Sequence, residues 1–321
     1  MNQATANEPK RPTADTLPVG DVVENGEPAV ESVESPSLFR SYVTLAKPRI
    51  MLMVLVTVWV GFMFGGRVQG WDWLTMIAAL VGSGLSCMGA SALNQVYERD
   101  TDALMKRTRN RPMPNGRIGV QAGWTFGVIL STVGILMLGF MTTWLAAGVS
   151  ALTVISYAIV YTPMKRTSHM ATVVGALPGA LPPVLGYAAA SGGTIGIEAV
   201  LLFAIMFVWQ LPHTLAIYWL YRDEFAKAGF PMLPVIDPSG SYTFRQILIG
   251  SMLLLPLGLT PTLFGISGLV YFITAFACGL LMLGSSLMLA SEPSRAQARG
   301  LFFVSLVYLP VVLVVMLVDR V

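Results

Sequence analysis

Charge is what this chain has least of. Only 12% of its 321 residues are Asp, Glu, Lys or Arg, against about a quarter in soluble domains, while 55% are hydrophobic. A water-soluble globular fold is excluded and a membrane protein is expected. Cysteine is nearly absent too. Cys87 and Cys278 fall inside apolar runs far apart in sequence, which offers neither a disulfide frame nor a thiolate metal site, and both read as packing residues. Histidine is equally scarce, at His169 and His213. The net charge of +3 is modest and topology accounts for the basic loops, so no nucleic-acid partner is expected.

Residues 1–36 lack aromatics, and they lack the basic start and apolar core of a signal peptide. Rich in Pro, Glu, Ala and Thr, they are expected to form a disordered cytoplasmic tail ahead of a transmembrane domain at 37–321. From residue 50 onward, apolar segments of about 20 residues recur, enough to cross a hydrocarbon core about 30 Å thick as helices. Nine are read, at 50–66, 73–96, 119–140, 143–162, 170–190, 197–219, 244–264, 267–290 and 300–318. The expected fold class is therefore an all-α membrane protein, a bundle of about nine transmembrane helices. The breaks at "MTT" and "GISG" suit tight hairpins, whereas those after the even-numbered spans are long and charged. Eighteen of the twenty Lys and Arg residues fall in the N-terminal region or those even-numbered loops, leaving only Arg67 and Arg320 on the other side. The N terminus is expected in the cytoplasm.

What charge there is concentrates in "NQVYERDTDALMKRTRNRP", 94–112, with three acids and five bases behind the second span. If the helix continues through it, Asn94, Glu98 and Asp102 share one face, because four residues advance only about 40° beyond a full turn. Three oxygen-bearing side chains so placed suit Mg²⁺, which takes a few carboxylates plus substrate phosphates. Asp100 lies well round the helix from them. Lys106, Arg107, Arg109 and Arg111 supply cations for phosphate oxygens. Simple mutual neutralisation on a solvated loop would explain either half alone. The spacing and the position at a membrane helix end favour a metal and diphosphate site, and "YRDEFAKAGFPMLPV", 221–235, repeats the theme on the same side.

"NQVYERDTD" resembles the first Asp-rich motif of the UbiA-type intramembrane prenyltransferases, with Asn, acid and acid at four-residue intervals. "AKPRI" at 46–50, "RTRNRP" at 107–112, "YTPMKR" at 161–166, "GALPGALPPVLGYAA" at 175–189 and "AGFPMLPV" at 228–235, in that order, are similar to its haem-modifying branch, the protoheme IX farnesyltransferases. The likeness runs from residue 46 to about 245. The chain departs from the wider pattern with Glu98 where Asp is usual, and with Lys227 where a second Asp would complete a DxxxD after Asp223. The resemblance implies transfer of a farnesyl group from farnesyl diphosphate to a vinyl carbon of haem B, with water completing the hydroxyethylfarnesyl side chain of haem O. It implies Mg²⁺ on Asn94, Glu98 and Asp102, with Asp223 as a further ligand. Lys47, Arg49, Lys106, Arg107, Arg111, Lys165, Arg166 and Lys227 are implied around the diphosphate. The setting would be a bacterial inner membrane with the site on its cytoplasmic side, with lipid around it and a haem A synthase or terminal oxidase as handover partner.

Departure of diphosphate leaves an allylic cation, which needs a dry pocket with aromatic faces. Tyr97, Tyr161, Tyr218 and Trp219 are candidates, and each also suits an interfacial belt. His169 reads as solvated or phosphate-facing. His213, in "WQLPHTLAIY", needs a partner in an apolar span, either a group on a neighbouring helix or haem iron. The Gly and Pro residues at 175–186 either bend the fifth span to open a pocket or allow close helix packing. A quinone-type aromatic acceptor is the nearer alternative. A membrane transporter fits less well, because carriers bind at the midplane and here the charges crowd one face.

Overall fold

A computed structural model describes residues 37–321 apart from residue 71, with the backbone alone at 67–69. The expected tail at 1–36 and the Arg67 side chain lie outside the described residues. Apolar composition leaves each spanning segment no polar solvent for its backbone, so the chain satisfies its N–H and C=O groups within helices. Among the described residues the sole β pairing is an isolated bridge between Ser267 and Arg320.

A short helix α1 (Leu38–Leu45) leads into α2 (Pro48–Gln69), α3 (Trp73–Leu104), α4 (Val120–Met141) and α5 (Trp144–Val154). A π-helical stretch (Ile155–Tyr161) runs on into α6 (Thr162–Met164), and α7 (Ala171–Ala180) and α8 (Pro182–Ala190) together make one span. After α9 (Ile197–Leu220) come the short α10 (Arg222–Lys227) and α11 (Leu233–Ile236), then α12 (Ser241–Leu263), α13 (Leu269–Ser291) and α14 (Arg295–Val318). Among the described residues nine helical segments are long and apolar enough to span a membrane, matching the nine read from sequence. The ends differ in charged or Pro-rich places. The second span runs on from 96 to Leu104, the seventh begins at Ser241, and the ninth begins at Arg295.

The extension of α3 matters most. Its 32 residues make a helix about 48 Å long at 1.5 Å per residue, well beyond a core of about 30 Å. Its last turns therefore stand clear of the hydrocarbon on the side of the long loops, which lets charge sit there at low cost. Asp72 starts the same helix at the other end, its carboxylate accepting from Leu74 N (3.2 Å) and Thr75 N (3.0 Å) as an N-cap.

The fifth span breaks at Leu181, where Pro182 and Pro183 open α8. Both readings of its Gly and Pro content hold. Gly186 on α8 lies against the Val58 carbonyl of α2, and Gly61 on α2 against Pro183, so closely that a Cβ at either would collide with backbone; the same break leaves Gly175, Pro178, Gly179 and Pro182 lining an internal cavity. Two apolar cores flank that space. One joins α9, α12, α13 and α14 through Ile205, Ile247, Leu254, Met282 and Leu301; the other joins α2, α5 and α8 through Val58, Phe62, Ala147, Leu185 and Ala188.

Candidate active site

Asn94, Glu98 and Asp102 lie one turn apart on the extended end of α3, all buried. Each meets a different basic side chain. Lys47 Nζ donates to Asn94 Oδ1 at 2.8 Å, Lys165 Nζ to Glu98 Oε1 at 2.6 Å, and Arg111 Nη1 to Asp102 Oδ2 at 2.7 Å. Three segments far apart in sequence thus converge on one helix face, and removing either partner of such a buried pair strands the other.

Local structure aims each cation. Lys47 precedes Pro48, whose ring disfavours the α conformation for its neighbour, and it adopts φ 51°, the sole positive φ of a non-glycine residue among those described. That conformation costs about 1–3 kcal/mol. It turns the chain between α1 and α2 and points the ammonium group inward, while Gln95 Nε2 holds the Leu45 carbonyl beside it at 2.8 Å. Burial and then the Arg111 guanidinium lower the Lys47 pKa to about 8, with Glu98 pulling the other way. Arg111 sits in the loop after α3, where Thr108 Oγ1 donates to the Asp102 carbonyl at 2.9 Å and closes that loop on the helix end.

Lys165 follows the π-helical stretch. Pro163 cannot donate to the carbonyl four residues back and its ring crowds it, so the turn before it widens, and Thr162 N bonds to the Tyr157 carbonyl. The Lys165 ammonium lies 5.0 Å from the Tyr161 ring centre and 5.8 Å from that of Phe230. Burial would lower its pKa, but the Glu98 carboxylate overcomes that and holds it well above the ordinary lysine value.

Tyr161 connects the polar cluster to the cavity. Its hydroxyl is 3.3 Å from that of Tyr218, and both line a space of about 420 Å³ together with Tyr157, Ser91, Gln210 and the Gly and Pro residues of α7. Gly175 packs directly on the Tyr161 ring. The arrangement is a charged mouth over a deep, mostly apolar chamber, able to hold an anionic head above a hydrocarbon tail.

Among the described residues, the remaining expected site residues make no hydrogen bond or ion pair to the side chains of Asn94, Glu98 or Asp102. Arg166 donates to the Tyr97 carbonyl, while Arg49, Lys106 and Lys227 are exposed. Arg107 donates its backbone N–H to Glu224 Oε2 at 3.4 Å and lays its guanidinium 5.2 Å from the Tyr221 ring centre, so the two polar loops touch. Asp223, next to Glu224, is exposed and paired with Arg295 at 2.9 Å. The Tyr97 ring packs on Trp124 and that of Trp219 on Phe244, outside the cavity lining. His213 turns toward α14, with Nδ1 2.7 Å from Ser305 Oγ and its ring stacked between Trp209 and Phe302; its neighbours Gln210 and Thr214 face the cavity instead. His169 lines a second hollow, of about 460 Å³, between α7, α9, α11 and α12.

Four contributors escaped sequence reasoning. Tyr157 stands four residues before Tyr161 in "YAIVY", a signal that was available. Gln210 is a lone amide within a span. Thr162, which accepts from Asn94 Nδ2 at 3.1 Å, and Phe230 lie within "YTPMKR" and "AGFPMLPV", but nothing in those strings singles them out.

The donor set fits Mg²⁺. Asp102 Oδ1 is buried without any hydrogen-bond partner, an acceptor on the same face as the Glu98 carboxylate and the Asn94 amide oxygen. Among the described residues no three His, Cys, Asp or Glu side chains converge, so a cation here would rest on two carboxylates and an amide. Positions would remain for phosphate oxygens, as Mg²⁺ prefers.

Residues 54–307 match the UbiA prenyltransferase family. The protoheme IX farnesyltransferase of Solibacter usitatus is 43% identical over 290 residues, covering 88% of this chain and 99% of that one. Its counterpart in Koribacter versatilis is 41% identical over 294 residues, covering 88% and 94%. The fold is similar to that solved in work on digeranylgeranylglyceryl phosphate synthase in membranes, with TM-score 0.71 and 17% identity over 88% of this chain and 98% of the other. It is also similar to a UbiA homolog from Archaeoglobus fulgidus bound to GPP and Mg²⁺, with TM-score 0.61 and 18% identity over 86% and 99%.

Proposed function

The chain belongs to the UbiA prenyltransferase family, and we propose that the reaction named for its relatives is its own. It transfers the farnesyl group of farnesyl diphosphate to a vinyl carbon of haem B, and water completes the hydroxyethylfarnesyl side chain of haem O. The observation that carries the site assignment is Lys165, which pairs with Glu98 on one side and lies over the ring of cavity-lining Tyr161 on the other. One residue thereby joins the head-group site to the tail site.

Lys47, Lys165 and Arg111 take diphosphate oxygens in exchange for the α3 oxygens that hold them, and the carboxylates so released would be free to hold a metal ion. Mg²⁺, when bound by Asn94, Glu98 and Asp102, compensates the charge that grows on the leaving group. The three protein cations do the same from fixed positions, the kind of preorganised electrostatic help that is usually the largest catalytic contribution. Tyr157, Tyr161 and Tyr218 present ring faces to the allylic cation in a chamber that excludes bulk water. The later loop touches the first through Glu224 and Arg107, and that contact supports a role for it in which Asp223 adds to the metal site and Lys227 to diphosphate binding. On this reading the mouth and the N terminus face the cytoplasm of a bacterial cell, an orientation supported by the excess of Lys and Arg in the long loops.

The test is incubation of purified protein with haem B, farnesyl diphosphate and Mg²⁺, followed by mass analysis of the extracted haem. Haem O is expected. Unchanged haem under conditions where a relative works would end this reading.

A further inference from the structure

An amide in the cavity wall is held with its acceptor unused. Gln210 lies on α9 and its Nε2 donates to the Ala176 carbonyl at 2.8 Å and the Met206 carbonyl at 3.1 Å. Carbonyls only accept, so the amide nitrogen must face them and Oε1 is fixed on the other side. No described residue donates to Oε1. It lies against α7 at Gly179, where a Cβ would collide with it, and Gln210 and Gly179 both line the cavity. The same α7 face carries Thr172 and Gly175, seven and four residues before Gly179. Thr172 also lines the cavity, and its buried hydroxyl has no partner. The buried Thr172 hydroxyl is costly unless something fills its valence, and Gln210 Oε1 adds an open acceptor to the same wall.

Resting on the farnesyl-transfer reading above, we infer that Gln210 is the positioning residue for the water that completes the reaction. The C1–O bond of farnesyl diphosphate breaks and its electron pair leaves on the diphosphate. The vinyl π pair of the acceptor forms the new carbon–carbon bond from its terminal carbon to farnesyl C1, which leaves positive charge on the inner vinyl carbon. A water oxygen lone pair closes that centre, and the proton the water sheds passes to the released diphosphate. If no water is in place, the same cation loses a proton from the adjacent carbon and gives an alkene one water lighter. An acceptor-only contact suits this step, because a water that donates to Oε1 keeps its lone pairs free to attack. An amide that orients an attacking water is an established device in phosphoryl transfer.

The test is a product ratio, which a merely structural residue would not move. Full-length protein in lipid nanodiscs is given haem B, farnesyl diphosphate and Mg²⁺ in heavy-oxygen water, and both extracted haem and released diphosphate are measured. Wild type is expected to give the hydroxylated product carrying the heavy oxygen. Gln210→Leu removes the acceptor, and Gly179→Ala displaces it while leaving its donors intact. In both, the share of the alkene in the total product should rise roughly tenfold, about what one lost hydrogen bond allows, whatever the change in overall rate. Thr172→Val should move the ratio the same way by less, and Thr172→Ser should restore it. An unchanged ratio in Gln210→Leu and Gly179→Ala overturns the inference. So does total product that falls while the ratio holds, since the residue would then act before the water does. Wild-type protein that leaves haem unmodified overturns the farnesyl-transfer reading itself, which separates the two failures.

Discussion

Lys165→Met should affect stability and turnover through two separable causes. In the wild type the ammonium lies 2.6 Å from Glu98 Oε1, with side chains only 14% and 7% exposed, so the substitution leaves a buried carboxylate with its closest counter-charge gone. Removing one member of such a pair costs roughly 3–5 kcal/mol, which for a chain this large corresponds to a loss of about 6–10 °C in melting temperature. Adding Glu98→Gln removes the stranded charge, and the double variant should recover to within about 1–2 kcal/mol of wild type, the remaining deficit being the lost hydrogen bond. Turnover should not recover, because on the proposed reading Lys165 holds the diphosphate and Glu98 the metal; each variant should stay below wild type by about a hundredfold or more. Thermal unfolding followed by intrinsic fluorescence in lipid nanodiscs, beside haem O formation by mass, measures both. A Lys165→Met protein that melts with wild type would refute the burial argument. A double variant that turns over normally would refute the assignment of this pair to the reaction.

Asp102→Ala should lower turnover by about a hundredfold or more, and chelation of Mg²⁺ should mimic it in wild type and be reversed by added Mg²⁺; wild-type rates in a folded Asp102→Ala protein would remove the metal site. Asp223→Ala should raise the Mg²⁺ concentration needed for half-maximal rate, whereas Lys227→Ala should weaken farnesyl diphosphate binding without shifting that curve, and two wild-type titrations would exclude the later loop. His213→Ala should lower stability by about 1–3 kcal/mol through its lost contact with Ser305 and its stacked neighbours, and leave the absorption spectrum of added haem B unchanged; an altered spectrum would reinstate His213 as a haem ligand. Asp237→Ala should cost about 1–2 kcal/mol, since its carboxylate accepts from Thr243 N at 2.9 Å and Thr243 Oγ1 at 3.0 Å at the start of α12. Burial opposes the charge, but these bonds and that from Ser239 hold the pKa below the ordinary 3.8. The stabilisation it gives is therefore present above that value and lost as pH falls through the folded pKa, so wild type and variant should converge in acid unfolding experiments.

Span number and order were legible because a run of about twenty apolar residues has one stable answer in lipid. The face shared by Asn94, Glu98 and Asp102 was legible for a similar reason, as helix geometry fixes four-residue spacing wherever the helix continues. Their pairing was not. Nothing local to Lys47, Arg111 or Lys165 says which acid or amide each will meet, since that depends on where α1, the loop after α3 and the π-helical turn arrive. His213 shows the same limit. Its burial was readable from the apolar run, but one face of α9 looks into the cavity and another toward α14, and only packing decided that Gln210 and Thr214 took the first while His213 took the second.

The pairing pattern also says why so charge-poor a chain gathers these residues at one point. Three cations against two carboxylates leave the cluster with one net positive charge: Arg111 and Lys165 neutralise Asp102 and Glu98, Lys47 rests on the Asn94 amide, and on the proposed reading all three partners are released when substrate arrives. Before that, the buried carboxylates are paid for by protein cations rather than by metal. A diphosphate that draws the three cations toward itself uncovers Glu98 and Asp102 at the moment when its own charge calls for a divalent ion. Metal and diphosphate should therefore bind cooperatively, each raising the affinity of the other by the same factor, as linkage requires. Asp102 Oδ1, buried without a partner, is already free for that exchange.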